Sequence, residues 1–177
     1  MKILVIKSSP HKKGSSNLLA DNFIQGAEEK GHQVTVFDAG HADLHPCLGC
    51  GACGMSGNCC QKDDMSGIQE KILDSDMVVF VTPLYYFGMS AQLKMFIDRF
   101  YSFNRELMTK QLQSALIVAA WDDKDWTMKD ISAHYETLCH YLDFKDRGQI
   151  LGKGCGTVSM TEDTIFPKQA YELGKSL

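Results

Sequence analysis

The sequence lacks the long apolar segments and the excess of basic charge that mark membrane and nucleic-acid-binding proteins. Near the amino terminus the apolar segment runs only from Ile3 to Ile6, too short for the core of a signal peptide, and no run approaches a membrane span. The 18 basic and 22 acidic residues give a formal net charge of -4. We therefore expect a soluble, cytoplasmic protein that binds neither nucleic acid nor membrane.

Two familiar nucleotide-binding motifs are also absent. The loop after the first predicted strand, residues 8–19, contains neither G-x-x-x-x-G-K-[ST] nor G-x-G-x-x-G. The first absence excludes the lysine and the Mg²⁺ ligand of a nucleotide-hydrolysing P-loop. The second removes the usual dinucleotide fingerprint from this turn.

Strand patterns alternate with amphipathic helix patterns along the whole chain. This alternation predicts one α/β domain, residues 1–177, built as a doubly wound three-layer sandwich around a five-stranded, mainly parallel sheet. A long segment, residues 39–66, shows neither period and is expected to be a functional or disordered loop. Strands are predicted at residues 2–7, 33–38, 77–81, 112–120 and 149–151, and helices near residues 15–31, 68–73, 89–100, 128–142 and 167–177.

The turn after the third strand is rich in aromatic residues. The buried strand Met77–Val81 leads into residues 82–88, and a helix follows whose apolar stripe includes Leu93 and Phe96, while Asp98 and Arg99 are predicted to face outward. Open α/β sheets bind ligands at the carboxyl ends of their strands, so the aromatic turn suggests a flat ligand. The alternative is that these side chains cap the sheet or form an oligomer contact.

The loop after the first strand has the composition of an anion site. Residues 8–19, here called the phosphate loop, combine hydroxyl and amide side chains with several cations at a predicted helix start. Free backbone N–H groups and the helix dipole favour a terminal monophosphate there, although a Ser15 or Ser16 cap on an ordinary helix is the alternative. Because the phosphate loop and the aromatic turn lie on one sheet edge, flavin mononucleotide (FMN) would satisfy both.

Three segments resemble the NADPH-dependent FMN reductase family of flavodoxin-like proteins. They are Ser9-Pro10-x-x-x-Gly14-x-Ser16-x-x-Leu19, Asp63-Asp64-Met65, and Thr82-Pro83-x-Tyr85-x-x-Gly88-x-Ser90-Ala91-Gln92-Leu93-Lys94-x-Phe96-Ile97-Asp98-Arg99. One departure is His11, where the family usually has Arg. The resemblance implies strand order 2-1-3-4-5, FMN as cofactor, NAD(P)H as co-substrate, and a homodimer or homotetramer.

The same resemblance implies which residues surround the flavin. It places one group of residues around the phosphate, the aromatic turn around the isoalloxazine ring, and a third loop, residues 119–123, beside the ring. The phosphate residues are Ser9, His11, Ser15, Ser16 and Asn17, the ring residues are Pro83, Leu84, Tyr85, Tyr86, Phe87 and Gly88, and Trp121 belongs to the third loop.

Five of the seven cysteines lie in residues 47–60, here called the cysteine loop. Without a secretory segment they are expected to be reduced. The spacing Cys47-x-x-Cys50-x-x-Cys53, followed by Cys59, resembles the motif of iron–sulfur flavoproteins, which implies a four-iron four-sulfur cluster. Tetrahedral zinc and free thiols without metal are the alternatives. Cys60 has no assigned ligand role.

These features lead to three functional hypotheses. The first is an oxidoreductase that accepts a hydride from NAD(P)H at FMN and passes electrons to a quinone, nitro, azo or flavin acceptor, with no side-chain acid or base assigned to catalysis. The second is an iron–sulfur flavoprotein that passes single electrons between FMN and a protein partner. The third is a non-enzymatic redox-sensing module whose aromatic turn contacts a macromolecule.

Overall fold

A computed structural model describes residues 1–177. Five parallel strands form the sheet in the order β2-β1-β3-β5-β6, and the short β4 pairs with β3 in antiparallel fashion. The predicted strand order is confirmed, with labels shifted because β4 was not predicted. The strands are β1 (Lys2–Lys7), β2 (Gln33–Asp38), β3 (Met77–Tyr85), β4 (Gly88–Met89), β5 (Gln113–Ala119) and β6 (Lys145–Gly152).

The helices cover both faces of this sheet and complete the three layers. None of them is long and apolar enough to cross a membrane. A 3₁₀ helix, Arg99–Phe103, joins two of them. The α-helices are α1 (Ser15–Glu29), α2 (Met65–Asp74), α3 (Ala91–Asp98), α4 (Asn104–Lys110), α5 (Lys129–Leu142), α6 (Val158–Glu162) and α7 (Phe166–Lys175).

Side chains alternate across the central strands, so that each strand contributes to two hydrophobic cores. Leu4 and Ile6 of β1 pack with residues of α2 to α5, whereas Ile3 and Val5 pack with residues of α1 and α7. Because both faces are covered, the central strands are apolar along their length, as expected for a parallel sheet.

Two glycines allow α1 to pack closely against α7. A Cβ atom at Gly26 would lie 2.1 Å from the backbone oxygen of Tyr171, and one at Gly174 would lie 2.1 Å from the backbone oxygen of Phe23. Both distances are far below van der Waals contact, so larger side chains would separate the helices. The close packing fixes α1, whose amino-terminal end forms part of the phosphate loop.

The prediction that Arg99 faces solvent is wrong. The helix after β3 ends at Asp98, and the chain continues as the 3₁₀ helix and α4, which the sequence did not predict. Arg99 is only 2% exposed, because its guanidinium pairs with Asp63, whose side chain is fully buried. A charged side chain is rarely buried without such a partner.

Candidate cofactor site

A cavity of about 510 Å³ lies at the carboxyl ends of β1, β3 and β5. The carboxyl end of β3 and the segments that follow β1, β5 and β6 contribute to its walls, as expected for a ligand site in an open α/β sheet. It brings the phosphate loop together with part of the aromatic turn. The lining residues are Ser9, His11, Lys13, Gly14, Ser15, Ser16, Pro83, Leu84, Tyr85, Ala119, Trp121, Cys155, Gly156, Thr157 and Val158.

The start of α1 lines this cavity with Ser15 and Ser16 and contains hydrogen-bond donors without a partner in the helix. Gly14 is the N-cap residue, and the predicted capping by Ser15 or Ser16 does not occur. The first backbone bond of the helix runs from Leu18 N–H to Gly14 O, so the N–H groups of the three preceding residues have no partner within the helix. The buried Ser16 hydroxyl also has no partner. Free donors at the start of a helix are an arrangement that favours anions, in keeping with the composition of the phosphate loop.

Asn17, which the resemblance places around the phosphate, makes hydrogen bonds within the phosphate loop. Its Nδ2 donates to the backbone oxygens of His11 and Lys12, both at 3.1 Å, and it does not line the cavity. The Ser9 hydroxyl accepts from His11 N–H at 3.1 Å, and Gly14 N–H donates to His11 O at 3.0 Å. Asn17 therefore braces the phosphate loop from within, while the neighbouring serines face the cavity.

The aromatic turn is divided between the cavity and the outside. Pro83, Leu84 and Tyr85 line the cavity, whereas Tyr86 and Phe87 form the tip of the β3–β4 hairpin and Gly88 begins β4. Both tip residues have positive φ, +46° and +63°, as in a type I′ turn. The Tyr86 side chain is fully exposed. The Phe87 ring lies 5.0 Å from the ring of Trp126, between centroids.

Three buried hydroxyl groups connect the phosphate loop to the aromatic turn. Ser8, Thr82 and Ser90 are completely buried. The Ser90 hydroxyl donates to the Ser8 hydroxyl at 2.9 Å, and the Ser8 hydroxyl donates to Val81 O at 2.8 Å. Ser90 N–H donates to the Thr82 hydroxyl at 2.9 Å, and the Ser90 hydroxyl also caps α3 by accepting from Leu93 N–H. These bonds fix the spacing of the two turns that face each other across the cavity.

Trp121, predicted from the third loop, forms another wall. Its indole packs on Gly156, where a Cβ atom would lie 2.4 Å from the ring carbon Cε3. The segment after β6 supplies Cys155 to Val158, which were not predicted to line the site. A glycine and a hydroxyl residue directly after the last strand, Gly156 and Thr157, are the sequence features that could have indicated it. Ala119 lies at the start of the predicted third loop, whereas Lys13 and Gly14 were not predicted as lining residues.

The cysteines predicted as metal ligands do not converge. No group of three or more His, Cys, Asp or Glu side chains has the arrangement of a metal site. Cys47 Sγ accepts from Gly49 N–H at 3.5 Å, and Cys50 Sγ lies 3.7 Å from Cys60 Sγ. Gly49, Gly51 and Gly54 lie between successive cysteines with positive φ, and the side chains of Cys47, Cys50, Cys53 and Cys59 do not form one ligand group. The residues as placed therefore do not fit a four-iron cluster.

A buried ion pair anchors both ends of the cysteine loop. The guanidinium of Arg99 bonds both carboxylate oxygens of Asp63 and donates to His45 O at 2.9 Å. Asp63 also accepts from the N–H groups of His45 and Met65. Burial alone would raise the pKa of Asp63, but these hydrogen bonds and the positive charge of Arg99 outweigh burial and lower it.

Comparison with known proteins identifies the family. The model of the NADPH-dependent FMN reductase family matches residues 1–123. The chain belongs to this family. The resemblance found in the sequence is thereby confirmed, and so, for the family, is the prediction of FMN as cofactor and NAD(P)H as co-substrate.

Two relatives of this FMN reductase family member illustrate its range. An iron–sulfur flavoprotein of Archaeoglobus fulgidus is 35% identical over 99 residues, which cover 56% of this chain and 45% of that protein. YwqN of Bacillus subtilis, named for an NAD(P)H-dependent FMN-containing oxidoreductase, is 29% identical over 174 residues, covering 87% of this chain and 86% of that protein. The chain spans about half the length of the iron–sulfur flavoproteins it matches.

Solved structures confirm the flavodoxin-like fold of this FMN reductase family member. The NAD(P)H:quinone oxidoreductase from Methanothermobacter marburgensis superposes with a TM-score of 0.76 at 18% identity, covering 99% of this chain and 95% of that one. An FMN-dependent NADH-azoreductase from Bacillus anthracis, solved with FMN, has a TM-score of 0.74 at 15% identity, covering 99% and 98%. At these identities the likeness concerns the fold alone.

Proposed function

We propose that this chain is an FMN-dependent NAD(P)H oxidoreductase that reduces a small planar acceptor of the quinone, nitro, azo or flavin type. One observation carries the proposal: the unpaired, buried Ser16 hydroxyl lies at one end of the cavity that Tyr85 and Trp121 line elsewhere. An anion-binding end and an aromatic wall in one cavity match a ligand with a phosphate and a flat ring system.

The residues present fit FMN. Ser15 and Ser16 would hold the phosphate through backbone N–H and hydroxyl groups, and Lys13 adds positive charge to the same cavity. The Pro83–Tyr85 segment and Trp121 would flank the ring. When bound, FMN supplies the two-electron chemistry and accepts the hydride from NAD(P)H. The protein then contributes binding and orientation, so we assign no side-chain acid or base.

The open side of the cavity supports a planar acceptor. Trp121 is 70% exposed and Tyr85 is 44% exposed, so apolar ring surface faces solvent beside the proposed ring site. Exposed aromatic side chains at a cavity mouth provide stacking surface for another flat molecule. The hydroxyl bonds between Ser8 and Ser90 keep the two sides of the cavity at a fixed separation.

A comparison of two flavins tests the binding site. Ser16→Ala is expected to weaken FMN binding about tenfold, equivalent to about 1.4 kcal/mol, while binding of riboflavin, which lacks the phosphate, changes little. Ser66→Ala is the matched control, because Ser66 is likewise the second residue of its helix but lies outside the cavity. Flavin fluorescence titration measures both affinities. Equal losses for FMN and riboflavin would contradict a phosphate contact of Ser16.

A steady-state assay tests the activity. FMN-loaded protein is mixed with NADH or NADPH and a soluble benzoquinone or naphthoquinone, and nucleotide oxidation is followed at 340 nm. We expect quinone-dependent oxidation of at least one nucleotide. Folded protein that takes up FMN yet oxidises neither nucleotide with quinone, nitro, azo or flavin acceptors would overturn the enzymatic proposal.

The iron–sulfur hypothesis is not part of this proposal. Several relatives carry the name iron–sulfur flavoprotein, but the four predicted sulfur ligands do not converge here. Iron and sulfide analysis of anaerobically purified protein separates the two hypotheses. About four irons and four sulfides per chain would favour electron transfer through a cluster.

A further inference from the structure

We propose that Cys50 and Cys60 form a reversible disulfide by exchange with a low-molecular-weight disulfide, which makes the cysteine loop a redox-responsive site. The inference concerns a surface outside the cofactor cavity and does not rest on the proposed function. The Cys50 and Cys60 side chains face each other in the folded protein.

The two sulfurs are close enough for a bond after a small movement. Cys50 Sγ and Cys60 Sγ are 3.7 Å apart, whereas a disulfide needs about 2.0 Å. Both residues are exposed free thiols, so a small oxidant has access to them. Neither residue belongs to a helix or strand, so closing the gap disrupts no regular backbone hydrogen bonding.

The other cysteines are less suited to this reaction. Cys139 and Cys155 are buried in the two cores. Cys53 and Cys59 are partly buried, and Cys47 accepts a bond from its own turn. The sulfur atoms of Cys50 and Cys60 lie 3.7 Å apart, and the Cys59 thiol, which also interacts with Cys60, belongs to the adjacent residue. The structure therefore selects one pair from the loop.

The path of the loop explains why this pair meets. The ion pair between Arg99 and Asp63, together with the bond from Arg99 to His45 O, holds the segments on both sides of the cysteine loop. Between them, Gly51 and Gly54 adopt positive φ, which allows the chain to turn back on itself. The bond would close an arc between residues 50 and 60 while the anchored ends stay in place.

The thiol–disulfide exchange proceeds in two steps, in which atoms and electrons balance. One cysteine, as thiolate, attacks the small disulfide RSSR, forms a mixed disulfide and releases one RSH. The second cysteine attacks the protein sulfur of the mixed disulfide and releases the second RSH. Two protein thiols are oxidised and one RSSR is reduced to two RSH. Because the bond uses Cys50, the oxidised loop cannot offer the thiolates of Cys47, Cys50, Cys53 and Cys59 together to a metal.

The test counts thiols in the full chain. Reduced protein is incubated anaerobically with oxidised glutathione, unfolded in excess N-ethylmaleimide and weighed by mass spectrometry. We expect five labels on the seven cysteines, and all seven after treatment with dithiothreitol. Trypsin releases residues 31–62 as one peptide, because no Lys or Arg lies between Lys30 and Lys62, so the bond must appear within that peptide.

Two serine variants of adjacent residues identify the pair. Cys60→Ser lacks the second thiol of the exchange, so we expect it to form no internal disulfide and to lose at most one thiol, as a glutathione adduct on Cys50, whereas Cys59→Ser, the matched control, still loses two of its six thiols to a disulfide. Seven labels on the oxidised parent protein, stable glutathione adducts on the parent protein, or an internal disulfide in Cys60→Ser would each overturn the proposal. The count does not depend on flavin, so its failure is distinguishable from failure of the proposed function.

Discussion

The cofactor cavity and the cysteine loop are held in place by different kinds of interaction. The cavity is built on the ends of β1, β3 and β5, whose register is fixed by parallel pairing and by cores on both faces. The cysteine loop has no regular secondary structure, and its ends are held by the buried ion pair of Arg99 with Asp63 and by a hydrogen bond from Gln61 Nε2 to Pro46 O. Many weak interactions therefore position the cofactor cavity, whereas a few strong interactions position the cysteine loop.

This difference predicts how each region responds to mutation. When one contact in the cavity is lost, the neighbouring strands and helices still hold the site, so we expect a small loss of stability. Loss of Arg99 would leave the buried carboxylate of Asp63 without its counterion and release His45 O at the same time. A buried charge without a partner is among the largest single destabilising effects in proteins.

The largest effect is therefore expected for Arg99→Met. We expect the free energy of unfolding to fall by about 3–5 kcal/mol, because the variant leaves a buried, unpaired carboxylate. Urea denaturation measures the change. Lys94→Met is the control, since Lys94 pairs with Asp98 at 2.5 Å on the exposed surface of α3, and its loss should cost less than about 0.5 kcal/mol. Similar losses in the two variants would show that Arg99 does not hold the loop.

The ion pair of Arg99 with Asp63 should also make the free energy of unfolding depend on pH. The pKa of Asp63 is lower in the folded protein than its ordinary value of 3.8, so its contribution to stability is complete above that value and disappears as the pH falls through the folded pKa. Asp63→Asn should cost about 1.5–3 kcal/mol at pH 7 and progressively less below about pH 4. Unfolding curves from pH 7 to pH 3 measure this difference. A cost independent of pH would contradict an ionised Asp63.

In the cavity, Gly156→Ala is expected to have a smaller effect on stability and a clear one on flavin binding. The new methyl group would meet the indole of Trp121 at 2.4 Å, which forces that wall to move. We expect a loss of about 1–3 kcal/mol and FMN binding weaker by roughly tenfold. Gly67→Ala is the control, because its Cβ meets nothing within 4 Å and the helix should gain up to about 1 kcal/mol. FMN affinity unchanged by Gly156→Ala would place the ring away from Trp121.

Loss of one buried hydroxyl tests the connection between the two turns. Ser90→Ala removes the cap of α3 and the bond to Ser8, and we expect it to cost about 1–2 kcal/mol. FMN affinity should fall as well, because the phosphate loop and the aromatic turn lose their shared bond. Ser132→Ala, which removes a surface bond to Glu136, serves as control. Loss of stability without loss of FMN affinity would restrict Ser90 to capping.

The sequence predicted those parts of the molecule that depend on local pattern. The run Met77–Val81 indicated a buried strand, and the composition of the phosphate loop indicated an anion site beside a helix start. Both features follow from side-chain period and residue type alone. The loop after β6 was missed because α6 has only five residues, too few to show a helical period.

Long-range partners were not predictable in the same way. Arg99 occupies a helical position that suits a solvent-facing charge, and only the fold reveals Asp63 beneath it, 36 positions earlier in the chain. The spacing of the cysteines suggested a metal, whereas the contact between Cys50 and Cys60 depends on the path of the loop. The residues around the flavin, the single domain and the homodimer or homotetramer stay predictions.

The smallest expected effect is at the tip of the aromatic turn, where a substitution should stabilise the protein instead of destabilising it. Tyr86 has φ of +46° and a fully exposed side chain, so its backbone strain is not offset by packing. Asn favours this first position of a type I′ turn, and Tyr86→Asn should raise the free energy of unfolding by about 0.5–1 kcal/mol. Phe87→Gly relieves similar strain but loses the contact with Trp126, so it should gain less. Urea denaturation compares the two variants, and a larger gain for Phe87→Gly would show that strain, not aromatic packing, governs the hairpin tip.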